Sequence, residues 1–253
     1  NPLTDENVQM MIKEKRFAYK IGRHSKGTAE TVGITLGKDE FLPEEISAKI
    51  LCKIKDDAEY RLGKPVTHAV ITVPAYFSEA QRTATYNAGV AAGFRVMNII
   101  EEPTSAAIAF GMENLKPDEV KNLLVYDLGG GTFDISILMA AAGSFSVCKI
   151  GGDKWLAGDN FDEKIMEWLK SRMKADYGID IDDERYPEKQ RNRNRYDLRI
   201  KSREAKEQLS SLSAADILLT WRTLDNDIID ASFRLTREDF ENMIRPMIER
   251  TVE

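Results

Sequence analysis

Hydrophobic positions along the chain switch between a helical and a strand period, and the switches mark its elements. Ile46, Ile50, Leu51, Ile54, Ala58 and Leu62 recur at helical spacing after Pro43-Glu44-Glu45, whose proline and acidic residues suit a first turn, and Gly63 ends the run. Ala69 to Val73 is a continuous apolar run closed by Pro74, which predicts a buried strand. Ser78 with Gln81 three residues later predicts a capping box for a helix that closes at Gly93. Val96 to Ile100 repeats the strand signal, and Pro103 then opens a helix through Phe110 capped by Gly111. Strand, helix, strand, helix at this spacing predicts an α/β sheet, with Glu101 and Glu102 at the carboxyl end of its second strand.

Toward the amino terminus, Val8 to Arg23 is mixed and basic and reads as a solvated helical face, followed by a loop from His24 to Thr31. Val32 to Phe41 predicts a hairpin about Gly37-Lys38-Asp39. Toward the carboxyl terminus, Phe145 to Ile150 reads as a strand, and the stretch from Gly151 to Asn160 as a polar, glycine-containing loop. Phe161, Ile165, Trp168, Leu169 and Met173 share one face of a helix ending at Tyr177. Pro187 to Leu212 is strongly charged and predicts a long, mostly solvated helix, on which Arg199, Arg203, Lys206 and Ser210 fall in one stripe. That stripe serves either solubility or a cleft. Asp216–Trp221 and Ile228–Leu235 predict a second hairpin, and Thr236 with Asp239 caps a last helix.

One stretch carries candidate chemistry: Leu123 to Tyr126, then Asp127-Leu128-Gly129-Gly130-Gly131-Thr132-Phe133-Asp134, then alternation through Leu138. This is strand, glycine turn, strand, without the following helix or the Lys-Ser/Thr pair of an ordinary phosphate loop. Three consecutive glycines leave room for backbone N–H groups to converge on an anion, and Thr132 adds a hydroxyl. Asp127 and Asp134 bracket the turn, and carboxylates beside bound phosphate imply a divalent cation between them, hence a nucleotide with Mg²⁺. A hairpin turn with an acidic rim has the same composition. Glu101 and Glu102 likewise suit either a helix N-terminus or a ligand-bearing sheet edge.

Charge narrows the partners. With 36 Lys and Arg against 42 Asp and Glu the net charge is −6, so no global basic field favours nucleic acid or an anionic membrane. No apolar run is long enough to span a bilayer, and the amino terminus has no signal-peptide pattern. Two cysteines, Cys52 and Cys148, lack metal-ligand spacing and fit small buried hydrophobes in a reducing compartment. The missing initiator Met and an end inside a helical pattern suggest a piece of a longer protein.

Taken together, Val73-Pro74-Ala75-Tyr76-Phe77 with Gln81-Arg82, Glu102-Pro103-Thr104-Ser105-Ala106-Ala107 and Asp127 to Asp134 closely resemble the nucleotide-binding domain of the seventy-kilodalton heat-shock chaperones, the DnaK type, from about Leu42 onward. The resemblance implies the actin-like (ribonuclease H-like) α/β ATPase fold, with two lobes around a cleft for ATP or ADP. It implies that Asp127 binds a Mg²⁺ complex through water, that Gly129, Gly130 and Gly131 cradle phosphates, and that Thr132 faces the γ-phosphate and orients water. Glu102 becomes the lobe-crossing carboxylate near that water, Asp134 part of a monovalent-cation (K⁺) site, and Pro74 with Arg82 the relay of nucleotide state to a peptide-binding domain. Lys206, Ser210, Arg203 and Glu207 fall on the helix that grips the nucleoside. Implied partners are unfolded client peptides, through a C-terminal domain beyond this chain, and J-domain and nucleotide-exchange co-chaperones in the cytoplasm.

Departures from the family pattern are specific. Arg203 stands where the family has Glu, and Glu207 where it has Arg or an aliphatic residue. The position of the family's catalytic Lys, three residues before Ile21-Gly22-Arg23, is Ala18, with Lys15 and Lys20 nearby. A short segment between Arg23 and Leu42 implies a trimmed outer subdomain. The expected division is residues 1–62 and 63–120 for the outer and inner parts of the first lobe, 121–158 with 236–253 for the inner part of the second, and 159–235 for its outer part. Because the family's first phosphate loop would precede Asn1, the chain alone is expected to be a weak ATPase or none. A partner-binding module derived from this fold and a small-metabolite kinase of the same superfamily are the alternatives.

Overall fold

The computed structural model describes residues 2–13, 19–111, 115–116, 118–141 and 143–252. The chain divides into two compact units: residues up to 125 with 136–150 form the first, and 126–135 with 151–253 the second. Among the described residues no helix is long and apolar enough to cross a membrane.

In the first unit, α1 (Glu6–Lys13) precedes a three-stranded meander of β1 (Lys20–Arg23), β2 (Val32–Leu36) and β3 (Asp39–Phe41). The helical reading of Val8 to Arg23 therefore fails at its end. Lys20 to Arg23 pairs antiparallel with Val32 to Thr35, where Gly22 lies opposite Gly33. A four-residue strand with one apolar side chain, Ile21, is too short to display alternation, and the pairing partner decides its conformation. The β2–β3 hairpin turns at Gly37 with a φ of 66°, in the region a glycine enters without strain.

Next, α2 (Pro43–Leu62) ends on Gly63 in the left-handed conformation, as the pattern predicts. Strands β4 (His68–Val73) and β5 (Arg95–Glu101) pair in parallel, joined by α3 (Glu79–Ala91). Ser78 caps α3: its amide donates to Gln81 Oε1 at 2.9 Å, and the Gln81 amide donates to Ser78 Oγ at 3.4 Å. Gly89 lets α3 approach the sheet, since a Cβ there would sit 2.6 Å from both Ile71 and Val96. Ala92, Phe94 and Val96 form this unit's buried cluster, against Leu51, Val66 and Ile71. Helix α4 (Glu102–Ala109) leaves directly from β5 with proline in its first turn.

Strands β6 (Val120–Leu128), β7 (Phe133–Ala141) and β8 (Ser144–Asp153) form one sheet in that order. Here β8 runs through Gly151, Gly152 and Asp153, which the pattern assigned to a loop. Gly152 explains the difference: with a φ of 135°, its missing Cβ would stand 2.1 Å from the Phe133 carbonyl oxygen, so only glycine lets the strand approach so closely.

The second unit holds the larger core. Helix α5 (Gly158–Tyr177) buries Phe161, Ile165, Leu169 and Met173, while Trp168 is only partly buried. Against it pack α6 (Glu188–Gln208) and an antiparallel pair, β9 (Ala214–Arg222) and β10 (Ile228–Thr236). Ala215, Ile217, Leu219 and Trp221 alternate inward on β9, as do Ala231, Phe233 and Leu235 on β10. Each large buried side chain of this set contributes about 1.5–3 kcal/mol of transfer free energy. The predicted cap of α7 (Arg237–Arg250) is present, with the Asp239 amide donating to Thr236 Oγ1 at 3.1 Å.

Two boundaries differ from the pattern. Helix α5 begins at Gly158 rather than Phe161, because Asn160 Oδ1 accepts the Ala157 amide at 2.9 Å and starts the helix a turn early. Helix α6 stops at Gln208, with Leu209 as its C-cap, and Ser210 to Leu212 continue as turns.

Candidate functional site

The glycine turn joins β6 to β7 in the second unit. Its closing bond runs from the Gly129 amide to the Thr132 carbonyl at 2.9 Å. The first turn of α5 adds two more: the Gly158 amide donates to the Gly129 carbonyl, and the Asp159 amide to the Gly130 carbonyl, both at 2.9 Å. These contacts fix the direction of the turn. In a planar trans peptide the N–H points opposite to the C=O. Carbonyls 129 and 130 aimed at α5 therefore turn the amides of Gly130 and Gly131 to the opposite side. Among the described residues, the amides of Gly130, Gly131 and Thr132 donate to no protein acceptor. A Cβ at Gly130 or Gly131 would meet nothing within 4 Å and both residues are exposed, so the tip of the turn is uncovered. Successive outward amides of this kind make a concave anion site.

Thr132 Oγ1 donates to Asp134 Oδ2 at 2.8 Å, so this hydroxyl and carboxylate form one polar unit at the mouth of the turn. Asp127, two residues before the glycines, is exposed and has no protein partner among the described residues. A carboxylate in that position fits Mg²⁺, which keeps most of its waters and takes one or two protein oxygens beside phosphate. The described residues contain no group of three His, Cys, Asp or Glu able to hold a metal by themselves.

Behind the turn stands a charged pair that sequence reasoning missed in part. Lys206 Nζ lies 2.7 Å from Asp162 Oδ1 and donates to the Gly158 carbonyl at 3.0 Å. Asp162 is 4% exposed. Burial pushes its carboxyl above the ordinary Asp range, and the opposing pull of Lys206 does not fully cancel that effect. A Cβ at Gly158 would lie 3.3 Å from Lys206 Nζ and 3.4 Å from the Gly130 Cα, so one methyl-sized volume separates the ammonium from the turn. The available signal was the Asn160 cap, which places Gly158 on the helix that carries Asp162 rather than in a loop.

The remaining residues of the charged stripe do not converge in the same way. Arg203 and Glu207 pair with each other at 3.3 Å, both exposed, in the i,i+4 geometry of a helix surface. Ser210 is exposed beyond the end of α6, and its amide donates to the Glu207 carbonyl at 3.2 Å. The predicted stripe thus loses its last member because the helix ends early.

In the first unit, the Pro74 carbonyl accepts the Phe77 amide at 3.1 Å, closing a turn after β4. Arg82 spans that turn: it donates to the carbonyls of Ala75 and Phe77 and to Glu101 Oε1 at 2.9 Å. Glu101 is thereby engaged at the end of β5, and Glu102 is partly buried in the first turn of α4. Of the lysines weighed for the catalytic position, Lys20 opens β1, while Lys15 and the matching Ala18 lie outside the described residues.

Comparison with known proteins gives this geometry a family. The Hsp70 protein family model matches residues 2–253. The chain is 43% identical over 230 residues to the chaperone protein DnaK of Mycoplasma mobile, covering 90% of this chain and 36% of that protein. It is 42% identical over 247 residues to the chaperone protein DnaK of Metamycoplasma hominis, covering 97% of this chain and 40% of that protein. The chain thus spans about two fifths of the length of these relatives. With its mixed α/β architecture of several small sheets and a family match over nearly its whole length, the chain belongs to the Hsp70 protein family and has the actin-like ATPase fold of that family's nucleotide-binding domain.

Proposed function

We propose that this chain supplies the phosphate-binding half of an ATP-hydrolysing chaperone domain, and that the whole protein couples its nucleotide state to the binding of unfolded peptides. The observation that carries the reading is the set of three amides, Gly130, Gly131 and Thr132, without protein acceptors among the described residues, those of Gly130 and Gly131 turned away from α5. Phosphoryl transfer needs placement and charge neutralisation more than a strong base. In this reading Asp127 holds Mg²⁺ through water, Asp134 contributes to a K⁺ site, and Thr132 orients the attacking water together with Glu102. Lys206 and the Arg203–Glu207 pair sit on the nucleoside side with Ser210, and Pro74 with Arg82 relays the nucleotide state. Residues 1–62 and 63–120 serve as outer and inner parts of one lobe, 121–158 with 236–253 and 159–235 as inner and outer parts of the other. J-domain and nucleotide-exchange co-chaperones are the proposed partners, in the cytoplasm.

Phosphate release from ATP by the longer protein that contains this chain tests the reading. Thr132→Ala is expected to lower kcat on the order of a hundredfold, as removal of one placed transition-state donor does. Turnover unchanged by Thr132→Ala and by Asp127→Asn would overturn it.

A further inference from the structure

Asp162 has no place in the reading above, yet it is nearly inaccessible and lies on α5, whose first turn holds the glycine loop. Its partner, the Lys206 ammonium, reaches it at 2.7 Å and the Gly158 carbonyl at 3.0 Å. The amide of the same Gly158, with that of Asp159, holds the carbonyls of Gly129 and Gly130. A chain of polar contacts therefore runs from a buried carboxylate through an ammonium and a helix start to the peptide units that orient the open amides. Every link is short and lies within one unit.

We propose that Asp162 is a positioning residue: through Lys206 and Gly158 it holds the first turn of α5 in the place that faces the Gly130 and Gly131 amides outward, so that the anion affinity of the turn follows the charge on Asp162. The proposal rests on the turn being a phosphate cradle. The charges that bear on Asp162 are Lys206 and Arg203 from α6, which favour its ionised form, and Asp159 on its own helix, which opposes it. The glycine turn itself brings no ionisable side chain from 129 to 132. A neutral Asp162 gives up its hold on the ammonium, and Lys206, partly exposed, is free to swing toward water. Acid then loosens the cradle from behind without touching a phosphate contact.

The test is a pair of titrations on the ¹⁵N-labelled chain. As the pH falls from 8 through the carboxylate range, the Gly130 and Gly131 amide resonances are expected to move in the wild type and to stay fixed in Asp162→Asn, with Asp162→Glu restoring the movement. The affinity for MgADP, read from the same resonances, is expected to weaken about tenfold more over that range in the wild type than in Asp162→Asn, a difference of one decade in Kd. ADP's own protonation is common to both proteins and drops out of the comparison. Lys206→Met breaks the chain at its next link and should reproduce the flat profile, which guards against a folding defect peculiar to one variant. Equal pH profiles in the wild type and Asp162→Asn would overturn the role of Asp162. Turn resonances that ignore MgADP at every pH would instead overturn the cradle reading, and the proposal with it.

Discussion

At the scale of single residues, the Asp162–Lys206 pair makes an asymmetric prediction. Since the folded-state carboxyl of Asp162 is raised, the native protein binds its proton more readily than the unfolded chain does. Its contribution to stability is therefore favourable at low pH and is lost as pH rises from the ordinary Asp range through the raised one. Removing that charge should cost little: Asp162→Asn is expected to change stability at pH 7 by less than about 1 kcal/mol, because it also removes a buried carboxylate and the partly exposed Lys206 ammonium is free to reach solvent. Lys206→Met leaves a buried carboxylate without its counter-ion and should cost about 3 kcal/mol, more at pH 8 than at pH 5. Urea denaturation of both variants at the two pH values measures the difference. Asp182 shows the opposite sign. Burial raises it, but hydrogen bonds and charge from Lys170 and Arg195 outweigh that and hold it below the usual range. Its stabilising share is present at neutral pH and fades on acidification through the lowered value.

At the scale of elements, glycines decide where the chain comes closest to itself. Gly152→Ala would force a Cβ against the Phe133 carbonyl from a backbone conformation that L-residues rarely adopt. The expected cost is about 3 kcal/mol, with displacement of β7 just where Asp134 leaves it. Thermal denaturation and the Asp134 resonances would register both effects, and a fully stable Gly152→Ala would show that β8 has another route past β7. The same element shows why sequence patterning stopped where it did. Helical periods, the capping box at Ser78, the N-cap at Thr236 and the alternation on β9 and β10 are local signals, and all of them were legible. Strand β1 and the glycine end of β8 were not, because their conformation is imposed by a partner strand rather than by their own pattern. The start of α5 was hidden for a related reason: Gly158 and Asp159 look like loop residues until their amides are seen capping onto the glycine turn. So the turn was legible as chemistry, while the device that orients it was not.

At the scale of the whole molecule, the two units carry unequal cores. The first has a small buried cluster around Phe94, whereas the second buries a continuous core from Phe161 to Phe240. Unfolding is expected in two steps, the first unit melting at the lower temperature. Leu169→Ala, at a fully buried position of the second core, should cost about 2–5 kcal/mol and move only the upper transition in calorimetry. A single transition shifted as a whole would show that the units fold as one. The chain spans only 36% and 40% of the length of the relatives it matches.

The most direct measurement is a titration of the ¹⁵N-labelled chain with MgADP at neutral pH, following each backbone amide. The account predicts that Gly130, Gly131 and Thr132 shift first and furthest, because theirs are the amides of the turn without a protein acceptor among the described residues, and that Asp127→Asn weakens the response through loss of Mg²⁺. MgADP that leaves these three resonances in place, or moves them no more than amides elsewhere on the surface, would contradict it.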